Sequence, residues 1–327
     1  MTGFFNVYKE AGYTSHDVVA IVRKLTGGKV GHTGTLDPQA EGVLPICIGR
    51  ATKLADMVMA EEKSYIAEVV LGIVTDTGDM TGQVLQSPGL TNSIPGGGIT
   101  DTRVIERRIG NVSQRDIHFS EAAIQATVAT FCGQQTQLPP MYSAIKVGGK
   151  KLYELARKGQ TVERKPRQIN IKSINVIKLE PEKNSFTIDV TCSKGTYIRS
   201  LCADIGEKLG TGATMGALLR TRSGAFTLDN AIKLTELKDA AANRHINDFL
   251  LSVETVLPFP RAYVGITDGP AVAMAKNGNR IPLDMVDMLN ISNINQNTKV
   301  WLHSPHGAIG LFSIDKANAC LRLEVLL

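Results

Sequence analysis

The apolar positions change period along the chain, and each change marks an element. Val18, Val19, Ile21, Val22 and Leu25 recur at helical spacing behind the capping pair Thr14-Ser15, and Gly27-Gly28 closes the segment, which predicts a helix of about a dozen residues. Val43-Leu44-Pro45-Ile46-Cys47-Ile48 is a continuous apolar run and reads as a core strand. Ala51–Ala60 reads as a second helix with Lys53 in its first turn, Lys63–Gly72 as a strand, and Glu121–Phe131 as a further helix. Gln168–Leu179 and Phe186–Cys192 are alternating or β-branched and predict strands, while Thr235–Leu251 is helical in pattern. Leu257-Pro258-Phe259-Pro260 reads as a linker. Beyond it, Ala262–Leu327 holds short strands separated by turn residues (Asn277-Gly278-Asn279, His306-Gly307), the pattern of a small β module. Between Ser87 and Gly110 the periodicity fails around Asn92-Ser93-Ile94-Pro95-Gly96-Gly97-Gly98, which marks an insertion of loop composition.

Composition narrows the classes. The 327 residues are 43% apolar and 20% charged, an ordinary globular balance with room for one large domain and a small one. No apolar run reaches the length of a membrane span, and the opening Met1-Thr2-Gly3-Phe4-Phe5-Asn6-Val7-Tyr8-Lys9 lacks the apolar core of a secretory signal. Cys47, Cys132, Cys192, Cys202 and Cys320 are odd in number, scattered and never spaced Cys-x-x-Cys, which speaks against a disulfide framework or a zinc site. They are expected to be small core residues in a reducing, cytoplasmic compartment. The His303-x-x-His306 pair reads as a polar turn, not as a metal motif.

Charge adds a location. The net charge is only +5, yet Met141–Lys172 carries nine bases (Lys146, Lys150, Lys151, Arg157, Lys158, Arg164, Lys165, Arg167, Lys172) against Glu154 and Glu163, so this segment alone holds +7 and the remainder is slightly acidic. Such a concentration is the footprint of a phosphate backbone, with a solvated basic face as the bland alternative.

The candidate chemistry centres on Gly31-His32-Thr33-Gly34-Thr35-Leu36-Asp37-Pro38-Gln39-Ala40-Glu41-Gly42-Val43-Leu44-Pro45. Pro38 pushes Asp37 towards extended backbone angles, and the glycines permit close backbone approach, so the carboxylate sits on a shaped, stiffened loop. A fixed carboxylate suits a nucleophile or general base, although Asp-Pro alone is more often simple turn chemistry. Asp76-Thr77-Gly78 has the form found in aspartic proteases, but that mechanism needs two such carboxylates sharing a proton and the chain has one copy. Val147-Gly148-Gly149-Lys150-Lys151 lacks the earlier glycine and the Ser/Thr of a phosphate-binding loop, and Gly210–Gly216 misses the dinucleotide spacing by one residue.

The whole loop, G-H-T-G-T-L-D-P-x-A-x-G-V-L-P followed by Ile48-Gly49-Arg50-Ala51-Thr52-Lys53, resembles the signature of the TruB-type tRNA pseudouridine synthases. Four further stretches resemble the same family: Thr75–Val84 (T-D-T-x-D-x-T-G-x-V), Gln137–Arg157 (P-x-Y-S-A-x-K-x-x-G-x-x-x-Y-x-x-A-R), Ser193-Lys194-Gly195-Thr196-Tyr197-Ile198-Arg199-Ser200-Leu201, and Leu218-Leu219-Arg220-Thr221-Arg222-Ser223-Gly224. Lys9-Glu10-Ala11-Gly12-Tyr13-Thr14-Ser15 is similar to the family opening K-P-x-G-x-T-S, with Glu10 in place of the usual proline. The resemblance spans about residues 4–230, and the tail is similar in position and size to a PUA-like RNA-binding domain.

The resemblance implies an α+β fold: a catalytic domain over residues 1–257 on a mixed, mainly antiparallel curved sheet flanked by helices, with the insertion at 87–110 and an RNA-clasping thumb at 138–167, then a β-rich PUA-like domain over 258–327. It implies Asp37 as catalytic nucleophile, His32 filling the space left by a flipped base, Tyr65 covering the uracil, Leu218 as the apolar wall, Arg199 as partner of Asp37, and Tyr197 and Lys53 as pocket supports. The thumb residues are Lys146, Lys150, Lys151, Arg157 and Lys158. The expected reaction is isomerisation of uridine to pseudouridine at position 55 of the tRNA T loop, by a monomer needing no cofactor, metal, membrane or obligatory protein partner. Two alternatives stay open at this point: a guide-RNA-dependent synthase, and an RNA-folding chaperone with incidental catalysis. Attack at C1′, attack at C6 and deprotonation of the sugar are equally compatible with these residues.

Overall fold

The computed structural model describes residues 1–86, 120–264, 269–287, 295–305 and 307–327; the expected insertion at 87–110, and His306, lie outside them. The described elements begin with β1 (Gly3–Lys9), α1 (Ser15–Thr26), β2 (Val30–His32), β3 (Glu41–Ile48), α2 (Ala55–Ala60), β4 (Lys63–Leu71), β5 (Val74–Thr75) and β6 (Val84–Gln86). Next come α3 (Glu121–Ala129), β7 (Gly133–Gln137), β8 (Lys146–Val147), β9 (Lys150–Lys151), α4 (Leu152–Ala156), β10 (Arg167–Glu180), β11 (Ser185–Cys192), α5 (Ile198–Lys208) and β12 (Ala213–Ser223). The chain ends with β13 (Phe226–Thr227), β14 (Ile232–Lys233), α6 (Leu234–Ala242), α7 (Val253–Val256), β15 (Arg261–Val264), α8 (Pro270–Lys276), β16 (Ile281–Pro282), β17 (Val286–Asp287), β18 (Lys299–Ser304), β19 (Gly307–Asp315) and β20 (Cys320–Leu326). They form two compact units, one of Met1–Pro38, Gly42–Met59 and Ser223–Leu327, the other of Gln39–Glu41 and Ala60–Arg222.

In the first unit, β1 pairs antiparallel with β3 from Gly3↔Ile48 to Lys9↔Gly42, β14 runs parallel to β1, and β2 pairs with β3 so that His32 lies opposite Ile46. Helix α1 follows the sequence pattern closely. Thr14 and Asp17 form a reciprocal capping box, and Gly27 ends the helix at φ +67°, a conformation that favours glycine. The C-terminal segment folds into a six-stranded sheet in the order β16-β20-β19-β18-β15-β17. Alternate residues of β18 and β19 enter two different cores. Val300, Leu302, Phe312 and Ile314 pack with Val272, Ile281 and Leu321. Trp301 and Leu311 point the other way and pack with Phe4, Val43, Leu54 and Val253. A strand buried on both faces reads as a continuous apolar run, which is what Val300-Trp301-Leu302 is.

In the second unit the strand order is β12-β4-β11-β10-β7. Tyr65 pairs with Val190 and Ala67 with Ile188 across β4 and β11, so the alternating positions of β4 share a buried face with the even positions of β11. Strands β8 and β9 form a two-residue hairpin whose turn residues Gly148 and Gly149 stand at φ +58° and +83°. Both angles are what a type I′ turn demands, hence the glycine pair.

Three expectations are corrected. The segment expected as the helix Ala51–Ala60 is a 3-10 turn over Gly49–Leu54 followed by α2. The Thr52 hydroxyl donates to the Gly49 carbonyl 2.8 Å away, which suits the tighter three-residue turn. The helix expected over Thr235–Leu251 stops at Ala242, and Arg244 takes φ +63°. Leu251 exchanges two backbone hydrogen bonds with Phe4, at 2.9 and 2.8 Å, and so cannot stay helical. Of the five cysteines, Cys47, Cys192, Cys202 and Cys320 are buried as expected, but Cys132 is exposed beyond α3.

Candidate active site

Asp37 lies in the loop joining β2 to β3, half-buried, between two pinned residues. On one side the buried Ser15 hydroxyl accepts from the Leu36 N–H at 2.9 Å and donates to the Leu36 carbonyl at 3.2 Å. On the other, the Pro38 carbonyl accepts from the Gly12 N–H and from the Lys9 ammonium, each at 2.9 Å. Lys9 is wholly buried, and its ammonium also donates to the Glu10 carbonyl at 3.1 Å. That bond uses only the backbone of residue 10, so the glutamate standing at the family's proline position leaves it in place. Because a buried charge is costly unless hydrogen-bonded, these contacts lock the lysine and the loop together.

The same loop holds His32. Its Nδ1 accepts from the Gly34 N–H at 3.3 Å, which places the proton of the neutral ring on Nε2. The His16 ring meets it edge-on at 5.5 Å. The Thr33 N–H donates to the Pro45 carbonyl at 3.1 Å, closing the loop at its base. Lys53 is exposed, and its ammonium donates to the Leu326 carbonyl of the C-terminal strand at 3.4 Å.

In the second unit, Tyr65 is buried on β4 and hydrogen-bonds to Arg220 of β12. Leu218, two residues from Arg220 and also buried, projects from the same face of that strand. Lys63, two residues from Tyr65, donates to the Glu61 carbonyl at 2.6 Å. Burial, and next the neighbouring Arg220, pull its ammonium down to about 8. Burial likewise pushes the Cys192 thiol up to about 11, so this cysteine is a core residue and not a nucleophile.

Arg199 sits in the first turn of α5 and is buried, unlike an ordinary surface arginine. Its guanidinium donates to the Thr77 carbonyl at 2.9 Å and to the Tyr142 carbonyl at 2.7 Å, and Asp79 stands 3.9 Å away. Asp79 is itself held by the Thr77 hydroxyl at 2.8 Å, the Thr81 N–H at 3.0 Å and the Thr81 hydroxyl at 2.6 Å. One arginine thus ties the Thr75–Val84 segment to the Tyr142 segment. The Tyr197 backbone is clamped by the buried Gln137 amide, which accepts from its N–H at 2.8 Å and donates to its carbonyl at 3.0 Å.

The basic thumb residues cluster on the β8–β9 hairpin and just after α4. Lys146, Lys150, Arg157 and Lys158 are exposed, and Lys151 is half-buried. The Lys151 ammonium and the Arg157 guanidinium each approach the Tyr153 ring, 5.4 Å from its centroid. Sequence reasoning assigned no role to Lys9, Ser15, Asp79, Gln137 or Arg220. The available signal was a charged or polar residue at the end of an apolar strand, as in Phe4-Phe5-Asn6-Val7-Tyr8-Lys9.

Comparison with known proteins places this geometry. A profile described as "TruB family pseudouridylate synthase (N terminal domain)" matches residues 22–95 and 96–198. One described as "tRNA pseudouridylate synthase B C-terminal domain" matches 199–258. Among curated relatives, the tRNA pseudouridine synthase B of Alkaliphilus oremlandii is 42% identical over 320 residues, 97% of this chain and 95% of that protein. Its namesake from Clostridium perfringens is 45% identical over 258 residues, 79% and 77% of the two chains. Among solved structures, a chain in an H/ACA RNP bound to a substrate RNA containing 2′-deoxyuridine aligns over 99% of this chain and 84% of its own, with TM-score 0.67 and 22% identity. A chain of the archaeal box H/ACA sRNP Nop10-Cbf5 complex aligns over 99% and 85%, with TM-score 0.66 and 22% identity. These two likenesses show the fold, an α+β architecture with a C-terminal β domain. With the loop around Asp37 built as described and the matched profiles covering residues 22–258, the chain belongs to the TruB family of pseudouridylate synthases.

Proposed function

We propose that this chain forms pseudouridine at position 55 in the T loop of tRNA, acting as a monomer without guide RNA or an obligatory protein partner. The family reaction is an isomerisation of uridine in tRNA: the C1′–N1 bond breaks, the base turns, and C1′ joins C5. The proton leaving C5 is balanced by one gained at N1, so nothing is oxidised and no second substrate is consumed. A base stacked inside a folded loop must first be flipped out. His32 then occupies the vacated space, Tyr65 covers the uracil on one side and Leu218 walls the other. Tyr197, its backbone clamped by Gln137, supports the pocket. Asp37 is the nucleophile, and Arg199 the cation that keeps it ionised and oriented.

The observation that carries this reading is the loop around Asp37. Both flanking residues are pinned by buried donors and acceptors, which is the preorganisation a carboxylate nucleophile requires. The exposed lysines of the β8–β9 hairpin supply affinity through phosphates, so binding falls steeply with salt.

The test is a pseudouridine map of unmodified tRNA transcripts incubated with the purified chain alone, chelator present and guide absent. Modification at the T-loop uridine is expected, and Asp37→Asn should abolish it while leaving tRNA binding nearly intact. Pseudouridine formation by Asp37→Asn would remove the nucleophile assignment. Binding without modification by the wild type would favour a guide-dependent enzyme or a chaperone.

A further inference from the structure

Arg220 is 1% exposed, one of the largest fully buried side chains among the described residues. Burying a guanidinium is expensive unless its N–H groups are satisfied. Here the loss of water disfavours the charged form, and the hydrogen bond to Tyr65 offsets part of that loss. The strand geometry explains why the two meet. β12 lies next to β4 in the sheet, and the period of two places Leu218 with Arg220 on one face, and Lys63 with Tyr65 on one face. Arg220 bonding to Tyr65 joins these two faces, so the residues assigned to the uracil (Tyr65, Leu218) are backed one step along the strands by two buried cations (Arg220, Lys63).

A guanidinium only donates, so the Tyr65 oxygen is the acceptor and its ring is tethered at the far end from the backbone. A tyrosine held only at Cα and Cβ retains freedom about χ1 and χ2; one held also at the hydroxyl does not. We propose that Arg220 is a positioning residue for the isomerisation: its buried guanidinium donates to the Tyr65 hydroxyl and fixes the ring in the orientation that covers the target uracil. The inference rests on the proposed role of Tyr65. It predicts that the Tyr65 hydroxyl and Arg220 act as one unit.

The experiment is a double-mutant cycle of Tyr65→Phe, Arg220→Met and the pair, read by single-turnover pseudouridine formation and by tRNA binding. Each single variant should slow the turnover by roughly tenfold with binding changed by less than about twofold, and the double variant should be no slower than the slower single. A merely structural arginine gives losses that multiply, and that result overturns the inference. So does an Arg220→Met enzyme that turns over at the wild-type rate. Where circular dichroism shows Arg220→Met to be unfolded, Arg220→Lys, which keeps the charge and loses the guanidinium fork, takes its place in the cycle. A wild-type protein that forms no pseudouridine would overturn the functional reading and the inference together. An active wild type with multiplicative losses overturns the inference alone.

Discussion

Ser15 does two jobs with one hydroxyl: one hydrogen donates to the Leu36 carbonyl and one lone pair accepts its N–H. Ser15→Ala leaves both backbone groups buried without their partner, at a cost of about 1–3 kcal/mol. The variant should lower the urea midpoint and the single-turnover rate together, because the loop it loosens carries Asp37. Asp204 on α5 poses a different residue-scale test. Burial, and next the nearby Glu207, push its carboxyl up to about 6, whereas an unfolded aspartate titrates near 3.8. The folded state therefore holds the proton more tightly between those values. Stability from this group is fully present below about 3.8 and is lost as pH rises through about 6. Asp204→Asn should accordingly stabilise the protein at pH 7–8, with the gain fading to nothing towards pH 4. Thermal melts across this range read it directly, and a gain independent of pH would contradict the assignment.

At the scale of elements, the β8–β9 hairpin turns a run of bases into a surface. The Gly148-Gly149 turn sets Lys146 opposite Lys151 and Val147 opposite Lys150. Each of these lysines that meets a phosphate should contribute about 0.9 to the slope of log K against log salt. Lys146→Ala, Lys150→Ala and Lys151→Ala should each flatten that slope by up to ~1 and weaken all tRNAs alike. A slope unchanged in all three would place the RNA elsewhere. The hairpin itself could be read from the glycine pair, since only a turn with two positive φ angles asks for both. In the short helix after it, Leu152–Ala156, two cations approach the Tyr153 ring, a contact that no local pattern announces.

At the scale of the molecule, the C-terminal sheet does not keep its apolar residues to itself. Trp301, the single tryptophan, packs in one core with Phe4, Val43 and Leu54, and its indole N–H donates to the Leu257 carbonyl at 2.7 Å. The Leu257–Pro260 stretch expected as a linker is thereby anchored at its first residue. Leu54→Ala, about 250 positions away in sequence, removes a fully buried side chain from this core and should cost about 2–5 kcal/mol. Tryptophan fluorescence during urea unfolding should report the shift. An unchanged midpoint would mean that the C-terminal sheet melts independently of the residues around Leu54.

The sequence alone determined whatever depends on near neighbours. Thr14 and Gly27 bracket α1, and the apolar pattern in Lys63–Leu71 makes a half-buried strand, because capping, φ preference and periodicity act over a few residues. It also marked the Gly31–Pro45 loop as shaped around a carboxylate. It could not tell what holds that loop, since Lys9 and Ser15 become loop supports only when folding brings them to Pro38 and Leu36. Nor could it tell that Arg199 gathers Thr77 and Tyr142, or that Arg220 reaches Tyr65. The end of α6 belongs in the same group: Ala242 is a good helix former, but Leu251 pairs with Phe4 and the helix yields. Burial and long-range hydrogen bonding carry more free energy than local propensity, and both depend on partners that only the tertiary structure supplies.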